Sequence, residues 1–486
     1  MNVPTRPITT FRPTASKPVA RIRSQAEVWG LAFIALACVC WAASFVVGFQ
    51  LALTVLTLAG LAAALVGLRQ PIIGLFGVGV LCTLDPIASA LLLTGGLLRW
   101  NTLNYWLLIV IVLSLPFLLR LNDPQTRIAE LFVLLLALET TISSGRDVGA
   151  QQVLGIIILF GLLIYFARAG ADNQSLYWLA LVMGVVAAAG GMAFILQAGR
   201  AAFYLHTDVS LSGGIPYINP NVWSLFPLAA LFAICMAFPL ASDRPRIQIG
   251  LLVLAAVNFV CVFLSSSRGS LLIALCCLLF LAMKIPKLSQ RAFLVVMGVL
   301  LGFLISTQFT NLQEDSLKRL DLLFSSSGQI GYRTSGRSDL ALGGWYIFLD
   351  HPFGVGTGGF ERAWADLGMV DGISGTYGRG EEKAAHSGWI RTLAENGVPG
   401  IVLLSAYVLS FAVVGWQKRK EGLFGLGLLV TSALAVAFLS NEFQDKALWF
   451  LCAGVTFLLH RDDILAKLPG QSRASPVTRE AQLRET

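Results

Sequence analysis

Charged side chains are scarce in this sequence: 13% of residues are Asp, Glu, Lys or Arg, against roughly 25% in soluble domains. With 56% hydrophobic residues, the chain has too little polar surface to cover a body immersed in water. An ordinary soluble enzyme is excluded. A disulfide framework is missing too, since all eight cysteines (Cys38, Cys40, Cys82, Cys235, Cys261, Cys276, Cys277 and Cys452) fall inside apolar runs. They read as small apolar packing residues rather than metal ligands. No cleavable leader is legible in residues 1–27, which are basic, carry four prolines and lack an apolar stretch. They are expected to form a disordered tail, like 468–486.

Also absent are an Asp-x-Asp pair in the long polar segment, a Gly-x-Ser-x-Gly elbow and a His-Glu-x-x-His motif. The carboxylate grip on a metal-bound nucleotide diphosphate and the common hydrolase chemistries therefore have no support. His351-Pro352-Phe353-Gly354-Val355-Gly356-Thr357-Gly358-Gly359-Phe360 is glycine-rich, but it lacks the Lys-Ser/Thr ending of a phosphate loop. Its glycines are expected to let the backbone turn sharply and pack close to the membrane face.

What the sequence does have is a recurrence of apolar runs from Val28 to His460. A hydrocarbon core of roughly 30 Å needs about 20 such residues per helix, and fourteen candidate spans result: 28–48, 51–68, 72–93, 103–119, 128–142, 153–167, 176–197, 221–240, 247–264, 270–283, 291–307, 389–415, 422–439 and 447–460. The expected fold class is all-α, a polytopic transmembrane helical bundle of about 12–14 spans. Small residues such as Gly184, Ala187, Ala188, Gly190 and Gly191 are expected to pack its helices.

Lysine and arginine are retained on the cytoplasmic side of short loops. With both termini inside, 22 of the 35 basic residues fall on that side. The net charge of +8 is then a mark of topology, and nucleic acid is not an expected partner. The expected organisation is a tail at 1–27, a membrane bundle at 28–307, a large extracytoplasmic loop at 308–388, further spans at 389–460 and a tail at 461–486. A loop of that length without spanning character is where function is expected. Within it, 338–349 has helical periodicity and stops at Asp350-His351-Pro352.

Candidate chemistry clusters around that loop. Arg268, behind Ser265-Ser266-Ser267, joins two spans so closely that it must sit at the outer face. It is either a snorkelling anchor or an anion ligand. Arg337 precedes the periodic stretch; a cation at a helix start opposes the dipole unless an anion sits before it. A solvated residue or a partner of Asp339 is the bland alternative. His351 caps the preceding helix or touches substrate. His386, one of four histidines, stands where the loop re-enters the membrane, beside Trp389. It is either a helix-start residue or a group acting on an acceptor hydroxyl.

Ile218-Asn219-Pro220-Asn221, Phe263-Leu264-Ser265-Ser266-Ser267-Arg268-Gly269, Gly336-Arg337, His351-Pro352-Phe353-Gly354-Val355-Gly356, and His386 followed by Leu393-Ala394-Glu395-Asn396-Gly397-Val398-Pro399-Gly400 occur in this order. Together they resemble the O-antigen ligase and polymerase superfamily over roughly residues 215–405. The resemblance implies a GT-C-like helical bundle in a bacterial inner membrane and a glycan donor on undecaprenyl diphosphate. The acceptor it implies is lipid A core, a growing polysaccharide or a protein. Arg268 and Arg337 would hold the diphosphate and His386 would serve transfer; Asn221, Ser267, His351 and Glu395 would contact substrate. Membrane lipids are partners, and no metal or cofactor is implied. Ser387 stands where many members have asparagine, which bears on the acceptor. A transporter or structural protein sharing the scaffold is the alternative. It should bury ionisable groups at mid-membrane, where the spans read as holding only Glu130 and Glu139.

Overall fold

The computed structural model describes residues 24–92, 102–170, 172–198, 220–265, 267–285, 337–367, 383–440 and 445–468. Among these residues there is no strand. Seventeen α-helices follow one another: α1 Gln25–Val47, α2 Phe49–Val66, α3 Pro71–Leu92, α4 Thr102–Leu113, α5 Leu115–Leu118, α6 Pro124–Ile142, α7 Arg146–Arg168, α8 Asn173–Ala198, α9 Pro220–Ala237, α10 Pro245–Leu264, α11 Arg268–Lys284, α12 Arg337–Asp350, α13 Phe360–Asp366, α14 Gly388–Gln417, α15 Phe424–Ser440, α16 Lys446–Leu459 and α17 Arg461–Ala466. Eight are long and apolar enough to cross a membrane, and three apolar helices are shorter. This is a polytopic all-α membrane protein. Its helices carry apolar side chains on their outward faces, such as Val46, Leu138 and Leu279, as a lipid solvent requires.

The helices begin and end where local chemistry dictates. α6 starts behind Asp123, whose carboxylate accepts from the Thr126 amide at 2.8 Å, with Pro124 in the first turn. α1 starts behind Ser24, which accepts from the Glu27 amide, so helix already begins inside the stretch expected as a tail. α17 opens the segment 461–486 and ends before the stretch expected to be disordered. The span expected at 103–119 is two helices. Pro116 follows Leu115, lacks an amide proton and disfavours helical backbone in the residue before it, so α4 stops at Leu113 and α5 restarts. The span expected at 291–307 lies outside the described residues, as do 308–336 and 368–382 of the long loop.

Small residues bring the helices together. A Cβ on Gly77 of α3 would stand 2.6 Å from backbone atoms of Gly60 and Ala64 on α2, so no other residue fits that crossing. On α8, Gly184 seats Leu254, Gly190 seats Trp41 and Phe226, and Gly191 seats Cys261. The expected small-residue stripe thus contacts three different helices. All eight cysteines are free thiols.

The inventory of acids within the spans needs correction. Asp85 lies inside α3 and is ion-paired with Lys446 at the start of α16, whose side chain is fully enclosed. Asp445 beside it caps α16 through the Ala447 amide at 3.0 Å. Asp85 is invisible to a hydropathy window because the apolar residues around it outweigh one carboxylate.

Candidate functional site

Register relations place the starts of four helices at one end of the bundle. α11 and α15 run antiparallel: Lys284 donates to the Gly422 carbonyl at 3.1 Å, and a Cβ on Gly425 would meet Phe280 at 3.1 Å. Carried along both helices, that register sets Arg268 level with the last turn of α15. There the Ser387 hydroxyl donates to the Phe438 carbonyl at 2.9 Å, and the Trp389 indole donates to the Ala435 carbonyl at 3.0 Å. The start of α14 therefore lies at the same end as the start of α11. α9 joins them, because Ser224 and Ser270 share a 2.6 Å hydrogen bond and Asn221 is one turn before Ser224.

The start of α12 arrives by a different constraint. A Cβ on Gly344 would stand 2.3 Å from Ile390 Cγ2, and the Val398 amide donates to the Pro352 carbonyl at 3.0 Å. Both relations have the same offset along the chain. α12 and the first part of α14 consequently run parallel, and Leu340 and Ala385, near their starts, lie in one buried apolar cluster. Arg337 is half-buried and His386 exposed. Ser267 is buried and donates to Ser270 at 3.1 Å. Only the backbones of Arg268 and Asn221 are described.

α14 is broken to make this possible. Gly388 lies beside Phe438, and twenty residues later Val408 accepts from Thr431, only seven residues back along α15. At 1.5 Å per residue these are paths of roughly 30 and roughly 10 Å. The first nine residues of α14 therefore run across the end of α15 rather than along it. The bend is at Gly397, whose φ of 58° and ψ of −148° are a combination essentially confined to glycine.

Against the bend packs the glycine-rich segment. Val355 and Gly356 amides donate to the Ala394 and Glu395 carbonyls at 3.1 and 2.9 Å. Gly354, Gly356 and Gly358 all have φ near +90°, and a Cβ on Gly358 would stand 2.2 Å from the Gly145 carbonyl oxygen. The segment turns sharply, as expected, and packs on the α14 bend and the α6–α7 corner.

Beneath it lies a polar network. The Glu395 carboxylate, fully buried, accepts from Gln152 Nε2 at 3.1 Å and the Phe360 amide at 3.2 Å, with Arg391 at 3.5 Å. Arg391, also enclosed, pairs with Glu361 at 2.6 Å. Asn396 bonds Thr357 at 2.7 Å and also Glu139. Arg391, Glu361 and Gln152 were not singled out by sequence. The available signal was the i, i+4 spacing of Arg391 and Glu395 inside an apolar span.

The expected site residues thus fall into two groups. Arg337, His386 and Ser267 lie at the end where α9 and α11 start with Asn221 and Arg268. His351 lies at the other end of α12, about 20 Å along its axis from Arg337, and Glu395 lies more than two turns along α14 from His386, about 13 Å. His386 has a φ of 50°, the one non-glycine with positive φ among the described residues. Such left-handed backbone is uncommon outside glycine, asparagine, aspartate and histidine. Helix starts leave amide donors unsatisfied and point the positive end of the dipole outward. Four of them, two led by arginine, form a place suited to a polyanion.

Residues 250–405 match a family model described as O-antigen ligase. The matched stretch contains Arg268, Arg337, His351, His386 and Glu395, while Asn221 precedes it. No curated protein matches the chain.

Proposed function

We propose that this chain, a member of the O-antigen ligase superfamily, transfers a glycan from undecaprenyl diphosphate to an acceptor hydroxyl without using a metal. The family assigns a ligase or polymerase type of function; donor, mechanism and residue roles are the proposal. The observation that carries it is the gathering of the Arg268, Arg337 and His386 positions at one end of the bundle. In the reaction, the acceptor oxygen attacks the sugar C1. The bond from C1 to the diphosphate oxygen breaks, its electron pair leaves with undecaprenyl diphosphate, and the hydroxyl proton passes to His386. One displacement inverts C1.

Arg268 and Arg337 neutralise the charge growing on the leaving diphosphate. Their guanidinium groups stay charged at any working pH and offer paired donors to paired oxygens, which is the task a divalent cation would otherwise perform. Ser267 and Asn221 line the donor side, and unsatisfied helix amides add to the anion field. His386 orients and deprotonates the acceptor. Glu395 acts from beneath, holding the α14 bend through Arg391 and Gln152. The excess of lysine and arginine on one side supports an inner-membrane protein with cytoplasmic termini and an extracytoplasmic site.

The test uses purified protein with a lipid-linked donor. Transfer should persist in excess EDTA, and His386→Ala should abolish it while donor binding survives. Chelator sensitivity refutes the two-arginine mechanism, and wild-type turnover in His386→Ala returns that residue to a structural role. The Asp85–Lys446 pair is the observation favouring a transporter, which would use buried charges in the membrane. A deletion strain separates the two readings: lipid-linked glycan accumulates only if the chain is a transferase. Accumulated single units mark a polymerase, and accumulated polymer marks a ligase.

A further inference from the structure

Where α12 ends, a cleft of about 320 Å³ opens between α12, α13 and the α6–α7 corner. Five polar side chains face it: Ser144, Asp350, His351, Arg362 and Asp366. All five are exposed, and none forms a side-chain hydrogen bond or ion pair with a described residue. Arg362 and Asp366 are one helical turn apart on α13 and still do not pair. Ile347, Val355 and Leu367 supply apolar surface between them.

We infer that this cleft is a saccharide-binding subsite, remote from the transfer centre and holding the glycan several sugar units away from the reacting bond. The volume falls at the lower end of the range for small-ligand pockets, and convergent polar groups over an apolar floor are their usual lining. The charge balance selects the ligand class. Two carboxylates against one guanidinium repel a phosphate or diphosphate, whereas carboxylates accept from hydroxyl groups and the guanidinium donates to hydroxyl and ring oxygens. A neutral polyhydroxylated chain satisfies both kinds of partner.

Placement points the same way. The cleft is one length of α12, roughly 20 Å, from Arg337. α12 is a continuous helix packed on α14 at Gly344 and just past its end at Pro352, so the two places keep a constant separation. A glycan extending from a diphosphate held near Arg337 and running along α12 would reach it. The cleft's role in catalysis rests on the proposed transferase, but saccharide binding does not.

The experiment uses full-length protein in detergent and, as probe, the soluble oligosaccharide released by mild acid from the lipid-linked glycans of a deletion strain. Calorimetry should show binding to the wild type, and Arg362→Ala with Asp366→Asn should weaken it by about tenfold or more, each tenfold being about 1.4 kcal/mol. Both residues are exposed, so loss of the fold is not expected; an unchanged gel-filtration profile checks it. In transfer assays the double variant should raise KM more for a donor carrying the full glycan than for one carrying a single sugar.

Equal affinity in wild type and variant, or displacement of the probe by inorganic diphosphate, overturns the subsite. So does absence of wild-type binding. Protein that transfers nothing but loses the probe in the double variant keeps the subsite and refutes the transferase. Normal transfer with unchanged KM and affinity in the double variant does the reverse.

Discussion

Gly397→Ala should destabilise the protein by about 2–4 kcal/mol, by two separable routes. Its backbone, at φ 58° and ψ −148°, is one in which a Cβ costs about 1–3 kcal/mol. The added methyl would also stand 2.1 Å from the Pro352 carbonyl oxygen, where ordinary contact begins near 3.4 Å. The two segments must part by 3.4 − 2.1 = 1.3 Å. That stretches the 3.0 Å bond from the Val398 amide to the same oxygen beyond hydrogen-bond range, a further loss of about 0.5–1.5 kcal/mol. Gly422→Ala is the matched control: its φ is 78° and nothing lies within 4 Å of its built Cβ, so it should carry only left-handed strain, about 1–2 kcal/mol. Equilibrium unfolding of both variants in mixed micelles gives the difference. If the two lose equal stability within about 0.5 kcal/mol, the contact between the glycine-rich segment and the α14 bend contributes nothing, and the account of this motif as a packing device is wrong.

Arg268→Lys and Arg337→Lys should each lose most transfer activity at equal expression, because a point ammonium does not reproduce paired contacts to phosphate oxygens; wild-type turnover in either makes that arginine an anchor. Lys446→Met strands the Asp85 carboxylate within α3 and should cost about 3–5 kcal/mol, most of it recovered in Asp85→Asn/Lys446→Met. No recovery in the double variant would mean that the pair is not the source of the loss. A cysteine introduced at Ser326 should be labelled by an impermeant reagent in intact cells while one at Ser16 is protected; the opposite pattern inverts the topology.

The membrane fold was legible because lipid imposes one rule on every span, so hydropathy alone locates helices whose partners are unknown. Breaks within spans were less legible. Pro116 interrupts a run of apolar residues that a window average smooths over, and Asp85 vanished in the same way. Motif order singled out Arg268 and Arg337, which begin α11 and α12, and His386, which lies two residues before α14. The same order grouped His351 and Glu395 with them, although His351 lies the whole length of α12 from Arg337 and Glu395 more than two turns of α14 from His386. Sequence proximity to glycine-rich motifs carried no information about that distance, since the glycines pack on the bend in α14.

On the proposed function, the bend ties both groups of residues into one site. A straight α14 would continue along α15 and carry His386 away from the bundle's end; broken at Gly397, it lays its first nine residues across that end and gives α12 a surface to pack on. The polar network under the bend then has a definite task. Burying Glu395 and Arg391 together costs desolvation that an apolar pair would avoid, but their bonds to Gln152, Glu361 and the Phe360 amide tie α14 to α7 and α13 at fixed geometry. The register of α12 on α14 is held separately, by the Gly344 contact with Ile390 and the Val398–Pro352 bond, and a slide of one turn, about 5.4 Å, would separate Arg337 from His386. Transfer between a lipid-held donor and an acceptor needs the reacting atoms within about 3–3.5 Å. A bundle end that lies in lipid on its sides is fixed most economically from within, by the directional bonds that lipid cannot supply.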